Sequence, residues 1–358
     1  MKKIKIGILG ATGMVGQRFV TLLENHPWFE VAMLAASPQS AGKDYLEVVS
    51  KRWKLDKPIP DYVKNIKLVA VEDDLDKIAR GVDLVFSALD LEKERIKEIE
   101  DNLAERGVAV VSNNSAHRWT ADVPMFIPEI NANHISLIDI QRKNHGWKKG
   151  FIVVKPNCSL QSYLPIVYAL MKYRPVKVAV TTLQAISGAG KTFSDWPEMI
   201  DNVIPFIGGE EEKTEEEPMK ILGNIKLNKL VLAKKPIIPA TCIRVAASNG
   251  HMAAVSVKFE EKPSREEFMR SINNYDNPLS QLNLPSAPDK FIKYFEEDNR
   301  PQTGIDRELE KGMGISCGRL REDSILDWKF ICLSHNTIRG AAGGAILTAE
   351  LLYRKGYV

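Results

Sequence analysis

Cysteine is scarce in this sequence, and long apolar runs and a strong net charge are absent. Four cysteines in 358 residues are too scattered for a zinc ribbon or a disulfide framework, and we expect no metal site: Cys158, Cys242, Cys317 and Cys332. No apolar run approaches the roughly 20 residues that span a bilayer, and we expect no signal peptide before the first strand. A net charge of +3 gives no case for nucleic acid or an anionic membrane as a partner. We therefore expect a protein of the reducing cytoplasm.

A length of 358 residues and a hydrophobic content of 44% suit two globular domains. Strands and helices alternate over the first half, which predicts an α/β domain with a parallel, doubly wound sheet whose ligands bind at the carboxyl ends of the strands. We place this domain at residues 1–157 and expect a C-terminal helix within 337–358 to return and pack on it. Residues 158–336 are expected to form a second, α+β domain with a mixed sheet.

The first candidate ligand site is a glycine-rich loop between an apolar strand, Ile4 to Leu9, and a helical run, Gln17 to Glu24. The loop has the pattern G-x-x-G-x-x-G and consists of Gly10, Ala11, Thr12, Gly13, Met14, Val15 and Gly16. Glycines in this setting let the backbone approach a pyrophosphate at a helix N-terminus. The loop therefore predicts a Rossmann-like dinucleotide site rather than a plain tight turn.

The residues after the second strand, Glu30 to Ala35, bear on the choice between NAD and NADP. An NAD site usually places an acidic residue here to hold the ribose 2′-hydroxyl. This sequence instead has two hydroxyls, an amide and a lysine: Ser37, Gln39, Ser40 and Lys43. These groups suit a 2′-phosphate and favour NADP, although a simple polar turn would have the same composition. A later strand ends in three residues that should also face the cofactor: Ser87, Ala88 and Leu89.

Cys158 stands where a strand gives way to a helix. Phe151 to Lys155 is an apolar run, Pro156 ends it, and helical spacing begins after Ser159. Free N–H groups and the positive end of the helix dipole favour a thiolate there, so we expect a lowered pKa and a nucleophile. The alternative is a buried structural thiol. Pro165 falls inside the predicted helix, where it should kink the chain or remove a hydrogen bond.

Three other places offer polar groups for a catalytic site. Arg118 follows a strand end, as either an anion ligand or an exposed loop residue. Glu210 and Lys213 are three apart and would project from one side of a helix, in a run that otherwise suits a solvated acidic face. Arg244 and His251 should lie close together around one bend between two strands, which makes a catalytic role for His251 about as plausible as a structural one.

Three further segments have simple patterns. Asn131 to Trp147 is predicted as a single helix, and Pro278 to Pro301 as a loop-rich stretch. Val176 to Ala185 is predicted as a strand that opens onto a loop of small residues. Small residues at a strand end allow a ligand to approach the backbone closely, and here they are Ser187, Gly188, Ala189 and Gly190.

Together these motifs resemble those of the aspartate-β-semialdehyde dehydrogenases, in the form found in archaea and fungi. The resemblance covers essentially the whole chain and rests on six segments: Gly10 to Gly16, Ser112 to Ser115 before Arg118, Pro156 to Ser159, Gln184 to Gly190, Arg244 to His251, and Asn336 to Gly344. It implies an NADP-dependent enzyme in the biosynthesis of lysine, threonine, methionine and isoleucine. It also implies a homodimer or homotetramer whose subunit interface is built by the second domain.

The resemblance implies a thioester mechanism. Cys158 would attack the semialdehyde carbon, and His251 would act as general acid and base, taking the thiol proton and handling that of the hemithioacetal. Hydride would pass to NADP, and inorganic phosphate would attack the resulting thioester to give β-aspartyl phosphate. In cells the family runs in the reverse, reductive direction. Asn157 and Gln184 would stabilise or position the tetrahedral centre.

The same resemblance assigns the binding residues. Arg244 would clamp the substrate α-carboxylate with its planar guanidinium, and Glu210 would meet the α-ammonium. Only its spacing to Lys213 selects Glu210 over the adjacent Glu211 and Glu212. The remaining contacts would be Arg118 with Lys213 on phosphate, Asn114 on the substrate, and Ser187 to Gly190 with Asn336 beside the nicotinamide.

Other functions remain open from the sequence. A malonyl-CoA reductase on the same scaffold would keep the cysteine, the histidine and the NADP loop, but its substrate has no amino group. An N-acetylglutamyl phosphate type of reductase would give no reason for Glu210. A dinucleotide sensor without chemistry would be indifferent to loss of Cys158.

Overall fold

The computed structural model describes residues 3–358, which build two separate main β-sheets. The first sheet has six parallel strands: β1 (Ile4–Leu9), β2 (Phe29–Ala36), β3 (Val69–Ala70), β4 (Leu84–Ser87), β5 (Ala109–Ser112) and β6 (Phe151–Val154). Six helices lie between or beside them: α1 (Met14–Leu22), α2 (Tyr45–Val49), α3 (Leu75–Gly81), α4 (Lys93–Glu105), α5 (Pro128–Asn131) and α6 (Leu137–His145). The strand order is β3-β2-β1-β4-β5-β6, which confirms the doubly wound sheet predicted from the alternating pattern.

The carboxyl ends of these strands meet at one edge of the sheet. Strands β4, β5 and β6 are buried along their whole length, because helices cover both faces. The glycine loop after β1 and the cysteine turn after β6 therefore open onto the same edge. Gly10 has a φ of +77°, and a Cβ on it would collide with the carbonyl oxygen of Ala88 beyond β4. Glycine is required there for the loop to pass over its neighbour.

The second main sheet is mixed, as predicted. Its strands are β7 (Pro175–Gln184), β8 (Val203–Ile204), β11 (Ala240–Val245), β12 (His251–Phe259), β13 (Ile292–Phe295), β14 (Ile315–Glu322) and β15 (Trp328–Ser334). They follow the order β13-β14-β15-β12-β7-β11-β8. The small hairpin of β9 (Asn224–Lys226) and β10 (Lys229–Val231) stands apart. The helices of this half are α7 (Leu160–Ala169), α8 (Glu210–Ile221), α9 (Arg265–Asn273) and α10 (Thr303–Asp306), and α11 (Gly343–Arg354) closes the chain.

The expected bend between Arg244 and His251 is not a hairpin. Strand β11, which carries Arg244, pairs in parallel with β7, whereas β12, which begins at His251, pairs antiparallel with the other side of β7. The strands of Arg244 and His251 are therefore not paired with each other, and the two side chains lie on either side of the end of β7. They still meet over that end, where Ala185 starts the small-residue loop.

Three other local predictions need correction. The predicted helix from Asn131 to Trp147 is broken into the end of α5, a 3-10 segment at Ala132–Ser136, and α6. The loop-rich stretch from Pro278 to Pro301 contains β13, an edge strand. Helix α7 continues through Pro165, so the proline removes one backbone hydrogen bond without ending the helix.

The last helix returns to the first sheet, as its small residues predicted. One hydrophobic cluster joins apolar residues of β1, α1 and β6 to the buried face of α11, which contributes Ala345, Ile346, Ala349 and Leu352. Within residues 3–358, no helix is long and apolar enough to cross a membrane, and no group of three or more Cys, His, Asp or Glu is arranged to hold a metal ion.

Truncation of Leu352 should show how much the packing of α11 contributes to the stability of the fold. Leu352 is fully buried, so Leu352→Ala should lower the free energy of unfolding by about 2–5 kcal/mol through lost burial and a residual cavity. Chemical denaturation would measure it. Ile325→Ala is the control. Because Ile325 is 87% exposed, this substitution should change the free energy of unfolding by no more than about 0.5 kcal/mol. Equal effects of the two variants would contradict this view of α11.

Candidate active site

Cys158 lies between β6 and α7, at the strand-to-helix transition that the sequence predicted. The oxygen Oδ1 of Asn157 accepts hydrogen bonds from the backbone N–H of Ser159 at 2.8 Å and from its hydroxyl at 2.7 Å. These bonds close the turn that leads into α7. Cys158 remains partly exposed, whereas the other three cysteines are buried. Among the four thiols it is the one that a substrate can reach.

The expected low pKa of Cys158 is not what its surroundings produce. Burial in the protein and the nearby carboxylate of Glu210 raise the pKa of the thiol to about 12, and the positive charges of Arg118 and Arg244 offset only part of this effect. The helix terminus alone therefore does not generate a thiolate. In the resting site Cys158 is a protonated thiol that must be ionised for attack.

His251 is completely buried beside the end of β7. Its Nδ1 accepts the backbone N–H of Ala185 at 3.1 Å, and its Nε2 has no hydrogen-bond partner among the described residues. Burial, and then the positive charge of Arg244, lower the pKa of His251 to about 3, so the ring is neutral at physiological pH. A buried ring nitrogen without a partner calls for an explanation, and a hydrogen bond to a bound molecule would provide one.

Gly188 brings the small-residue loop directly onto His251 and Arg244. A Cβ on Gly188 would lie 2.8 Å from Nη1 of Arg244 and 3.0 Å from Nε2 of His251. The same Nη1 donates to the carbonyl oxygen of Ala185 at 2.7 Å. The structure thus brings the predicted pair of Arg244 and His251 together with the small-residue loop, which was predicted separately.

Glu210 is the centre of a polar cluster next to Cys158. Nδ2 of Asn157 donates to both carboxylate oxygens, at 2.9 Å and 2.8 Å. The carboxylate also accepts hydrogen bonds from Nε2 of Gln184 at 3.2 Å and from Nζ of Lys213 at 2.9 Å. Burial opposes ionisation, but Lys213 and the two amides outweigh it and lower the pKa of Glu210. Glu210 is therefore the member of the acidic run that faces the cysteine. Here both amides point at this carboxylate.

Arg118 is buried and bonds to Glu217 and to two backbone carbonyl oxygens. Its Nη1 donates to Glu217 at 2.8 Å, its Nε to the carbonyl oxygen of Lys155 at 3.0 Å, and its Nη2 to that of Asn113 at 3.2 Å. Glu217 also accepts the backbone N–H of Asn157 at 2.6 Å. The exposed-loop alternative for Arg118 is wrong, and two of its N–H bonds remain available.

Asn114 forms its side-chain hydrogen bonds at the ends of β4 and β5 rather than with Glu210. Its Nδ2 donates to the hydroxyl of Ser87 at 2.9 Å and to Glu100 at 3.2 Å. Burial raises the pKa of Glu100, which also accepts the hydroxyl of Ser112 at 2.7 Å. This network fixes the ends of β4 and β5. The sequence had suggested neither Glu100 nor this position for Asn114.

A cavity of about 480 Å³ runs along the glycine loop. Eight of the predicted cofactor residues line it: Gly10, Thr12, Gly13, Met14, Ser37, Ala88, Leu89 and Gly190. Ala11, Val15 and Gly16 support the loop from behind, and a Cβ on Gly16 would collide with the carbonyl oxygen of Gly10. Such a cradle, closed by glycines at a helix N-terminus, suits the pyrophosphate of a dinucleotide.

The cations of this cavity are not those that the sequence suggested. Lys43 and Gln39 are exposed outside it and Ser40 is buried behind it, whereas Arg52 and Lys54 line it together with Ser37. The side chain of Gln17 holds this segment, since its Nε2 donates to the carbonyl oxygen of Arg52 at 3.0 Å and its Oε1 accepts the N–H of Lys54 at 2.8 Å. Lys54 also pairs with Asp195 of the second half.

Asn336 and the small-residue loop lie between the cavity along the glycine loop and the residues around His251. Asn336 donates from Nδ2 to the hydroxyl of Ser187 at 2.9 Å and accepts the N–H of Gly250, next to His251, at 2.8 Å. Ala189 and Gly190 continue the same loop to the wall of the cavity. The small-residue loop therefore connects the wall of the cavity with the residues around His251.

Comparisons with known proteins agree with these features. Two family models match: semialdehyde dehydrogenase, NAD binding domain, over residues 5–138, and semialdehyde dehydrogenase, dimerisation domain, over residues 164–339. The aspartate-semialdehyde dehydrogenase of Archaeoglobus fulgidus is 43% identical over 99% of both chains. That of Saccharomyces cerevisiae is 39% identical over 100% of this chain and 99% of its own.

A solved structure extends the likeness to three dimensions. The crystal structure of aspartate semialdehyde dehydrogenase with NADP from Candida albicans is similar with a TM-score of 0.88, at 37% identity and 100% coverage of both chains. The glycine loop, the cysteine turn and the residues around His251 thus occur within a match that spans the molecule. This chain belongs to the aspartate-semialdehyde dehydrogenase family.

Proposed function

We propose that this protein interconverts β-aspartyl phosphate and aspartate β-semialdehyde with NADP, through a thioester on Cys158. The observation that carries the proposal is the cluster in which the side-chain amide of Asn157, the residue before Cys158, donates to both carboxylate oxygens of Glu210. An accessible thiol next to an anion suits a substrate that brings both a reactive carbonyl and an ammonium group. When bound along the glycine loop, NADP would supply the hydride chemistry.

The residues around the thiol divide the remaining work. Cys158, once ionised, would attack the acyl phosphate and release inorganic phosphate. His251 accepts a hydrogen bond at Nδ1, so its neutral ring carries the proton on Nε2. That tautomer favours donation to the substrate oxygen as negative charge develops there. It gives less support to the expectation that His251 removes the thiol proton.

Charged residues would position the substrate. Arg244 lies above the end of β7 without a carboxylate partner among the described residues, which suits binding of the α-carboxylate. Glu210 would receive the α-ammonium, and Lys213 and Arg118 would hold the phosphate from two sides. Asn157 and Gln184 would act by fixing Glu210, since both amides bond to it in this structure.

We also propose the organisation of the whole molecule. Residues 1–157 with 337–358 would form the NADP-binding domain, and residues 158–336 the catalytic domain, because the two main sheets and the return of α11 divide the chain in this way. The match to a dimerisation domain supports a homodimer, with a tetramer as the larger alternative. Four free cysteines suit the reducing cytoplasm.

The first test is NADPH formation from aspartate semialdehyde with and without phosphate. We expect formation that depends on phosphate and is lost in Cys158→Ala, while NADP binding, followed by fluorescence titration, persists. Turnover that survives Cys158→Ala would instead sink the thioester. NADPH consumption with malonyl-CoA, without phosphate-dependent formation, would reassign the substrate and remove the roles of Glu210 and Lys213. If neither the wild-type protein nor Cys158→Ala turns over either substrate, and both bind NADP equally well, the protein would be a dinucleotide sensor.

Gly188→Ala tests the contact of the loop with His251 and Arg244. The added methyl group would displace one or both side chains, so kcat should fall about tenfold or more, since small misplacements of catalytic groups are costly. Steady-state kinetics and thermal unfolding would be measured together. The control is Gly208→Ala, because a Cβ on Gly208 meets nothing within 4 Å. Similar kcat values for the two variants would contradict the close packing.

Arg52 and Lys54 should account for selectivity towards NADP. Replacing both with alanine should raise the KM for NADP about tenfold or more and change that for NAD little, because charge-assisted bonds to the 2′-phosphate are lost. Lys43→Ala is the matched control, since Lys43 lies outside the cavity. A larger effect of Lys43→Ala than of the double variant would return the phosphate site to the end of β2.

A further inference from the structure

Glu211 and Glu215 are two carboxylates of α8 that the proposed reaction does not use. Oε1 of Glu211 accepts the backbone N–H of Cys242 at 3.1 Å, and Oε1 of Glu215 accepts that of Ala240 at 2.9 Å. These two side chains of the acidic run are thus bonded to a strand rather than only solvated. A carboxylate that binds a backbone N–H forms a strong, charge-assisted hydrogen bond, so the two contacts call for an explanation.

Both N–H groups lie on an open edge of β11. The carbonyl oxygen of Pro239 accepts the N–H of Val180 in β7 at 3.0 Å. Because successive residues of a strand bond in opposite directions, the N–H groups of the alternate positions 240 and 242 are directed away from β7. On that outer edge, β8 pairs with β11 only from Arg244 onward. The two carboxylates therefore take the place of a neighbouring strand.

The spacing of the two contacts aligns α8 with β11. Four residues of a helix span about 6 Å and two residues of a strand about 6.6 Å, so Glu211 and Glu215 match two alternate positions of β11. The order is reversed, since the later glutamate meets the earlier strand residue. The first turn of α8, which begins at Glu210, therefore lies toward the end of β11 that carries Arg244.

These neighbouring ends carry the two charges proposed for the substrate head group, Glu210 for the α-ammonium and Arg244 for the α-carboxylate. Arg244 on β11 is in register with Gln184 on β7, and Gln184 donates to Glu210 at 3.2 Å. That contact is the longest of those of Glu210, whose shorter bonds come from Asn157 and Lys213, outside the second sheet. The separation of Glu210 and Arg244 therefore depends also on how α8 lies on β11.

We propose that Glu211 and Glu215 fix the distance between Glu210 and Arg244 and thereby determine selectivity for a substrate with an α-amino acid head group. Because their carboxylates bind the backbone of β11, they act through the other two residues, as positioning residues. The inference rests on the proposed function and on the roles given there to Glu210 and Arg244. It deepens that function by naming the groups that align the two head-group contacts.

The test compares two aldehydes that differ only in the ammonium group. Aspartate semialdehyde has this group and succinate semialdehyde lacks it, so only the first engages Glu210. Loss of both bonds in the Glu211→Ala, Glu215→Ala double variant frees α8 from β11, whereas β11 stays paired with β7. The ratio of the two kcat/KM values should fall about tenfold, mainly through a higher KM for aspartate semialdehyde. The kcat/KM for succinate semialdehyde and the KM for NADP should change little.

The Glu212→Ala, Glu216→Ala double variant is the matched control. These two glutamates have the same spacing on the same helix, are exposed, and bind neither of the two N–H groups, so their loss should leave the ratio in place. A Glu211→Gln, Glu215→Gln variant keeps both acceptor oxygens and should retain a ratio within about threefold of the wild type.

Steady-state kinetics and thermal unfolding would be measured together. An unchanged ratio in the folded double variant would overturn the inference, and so would an equal loss for both aldehydes, which is the result expected of carboxylates that only stabilise the fold. If the double variant does not fold, Glu215→Ala removes one bond at an exposed position and should still lower the ratio about threefold. A wild-type protein that accepts both aldehydes equally, or neither, would instead contradict the proposed function.

Discussion

The hydrogen bonds of Asn157 hold the reactive centre in place. Its backbone N–H bonds to Glu217, its side-chain N–H₂ to Glu210, and its side-chain oxygen to Ser159. One residue thus connects the end of β6, the start of α7 and two points on α8. Because these groups are buried, the loss of any partner would leave a polar atom unpaired at a cost of about 1–3 kcal/mol. The position of Cys158 follows from this arrangement.

Much of the fold and part of the site could be predicted from local patterns. Apolar runs and helical spacing located the turn at Cys158 and the strands of the first sheet except the two-residue β3. The spacing of Glu210 and Lys213 predicted a pair that the structure contains at 2.9 Å. Strand order is not a local property. The sequence therefore predicted that Arg244 and His251 lie close together around one bend, whereas they meet because β7 lies between their strands.

The electrostatics of the site depend on contacts between distant parts of the chain, which explains where the sequence misled. The residues next to Cys158 in the sequence predict a lowered pKa at a helix terminus, but burial and Glu210, from another helix, raise the pKa of the thiol. In the same way, the sequence near the end of β2 pointed to Lys43 as the cation that contacts the cofactor. The chain folds back so that Arg52 and Lys54 line the cavity instead, and two hydrogen bonds of the Gln17 side chain hold their backbone in place.

The resting site is arranged for charges that appear only during the reaction. His251 is neutral with an unpartnered nitrogen, and Arg244 is a buried cation without a carboxylate among the described residues. Each of these features raises the free energy of the empty enzyme, since buried polar and charged groups are costly when unpaired. A developing oxyanion would satisfy the first, and a substrate carboxylate the second. Because that relief comes with bound or reacting species, the same groups that destabilise the resting protein would favour the transition state over the free enzyme.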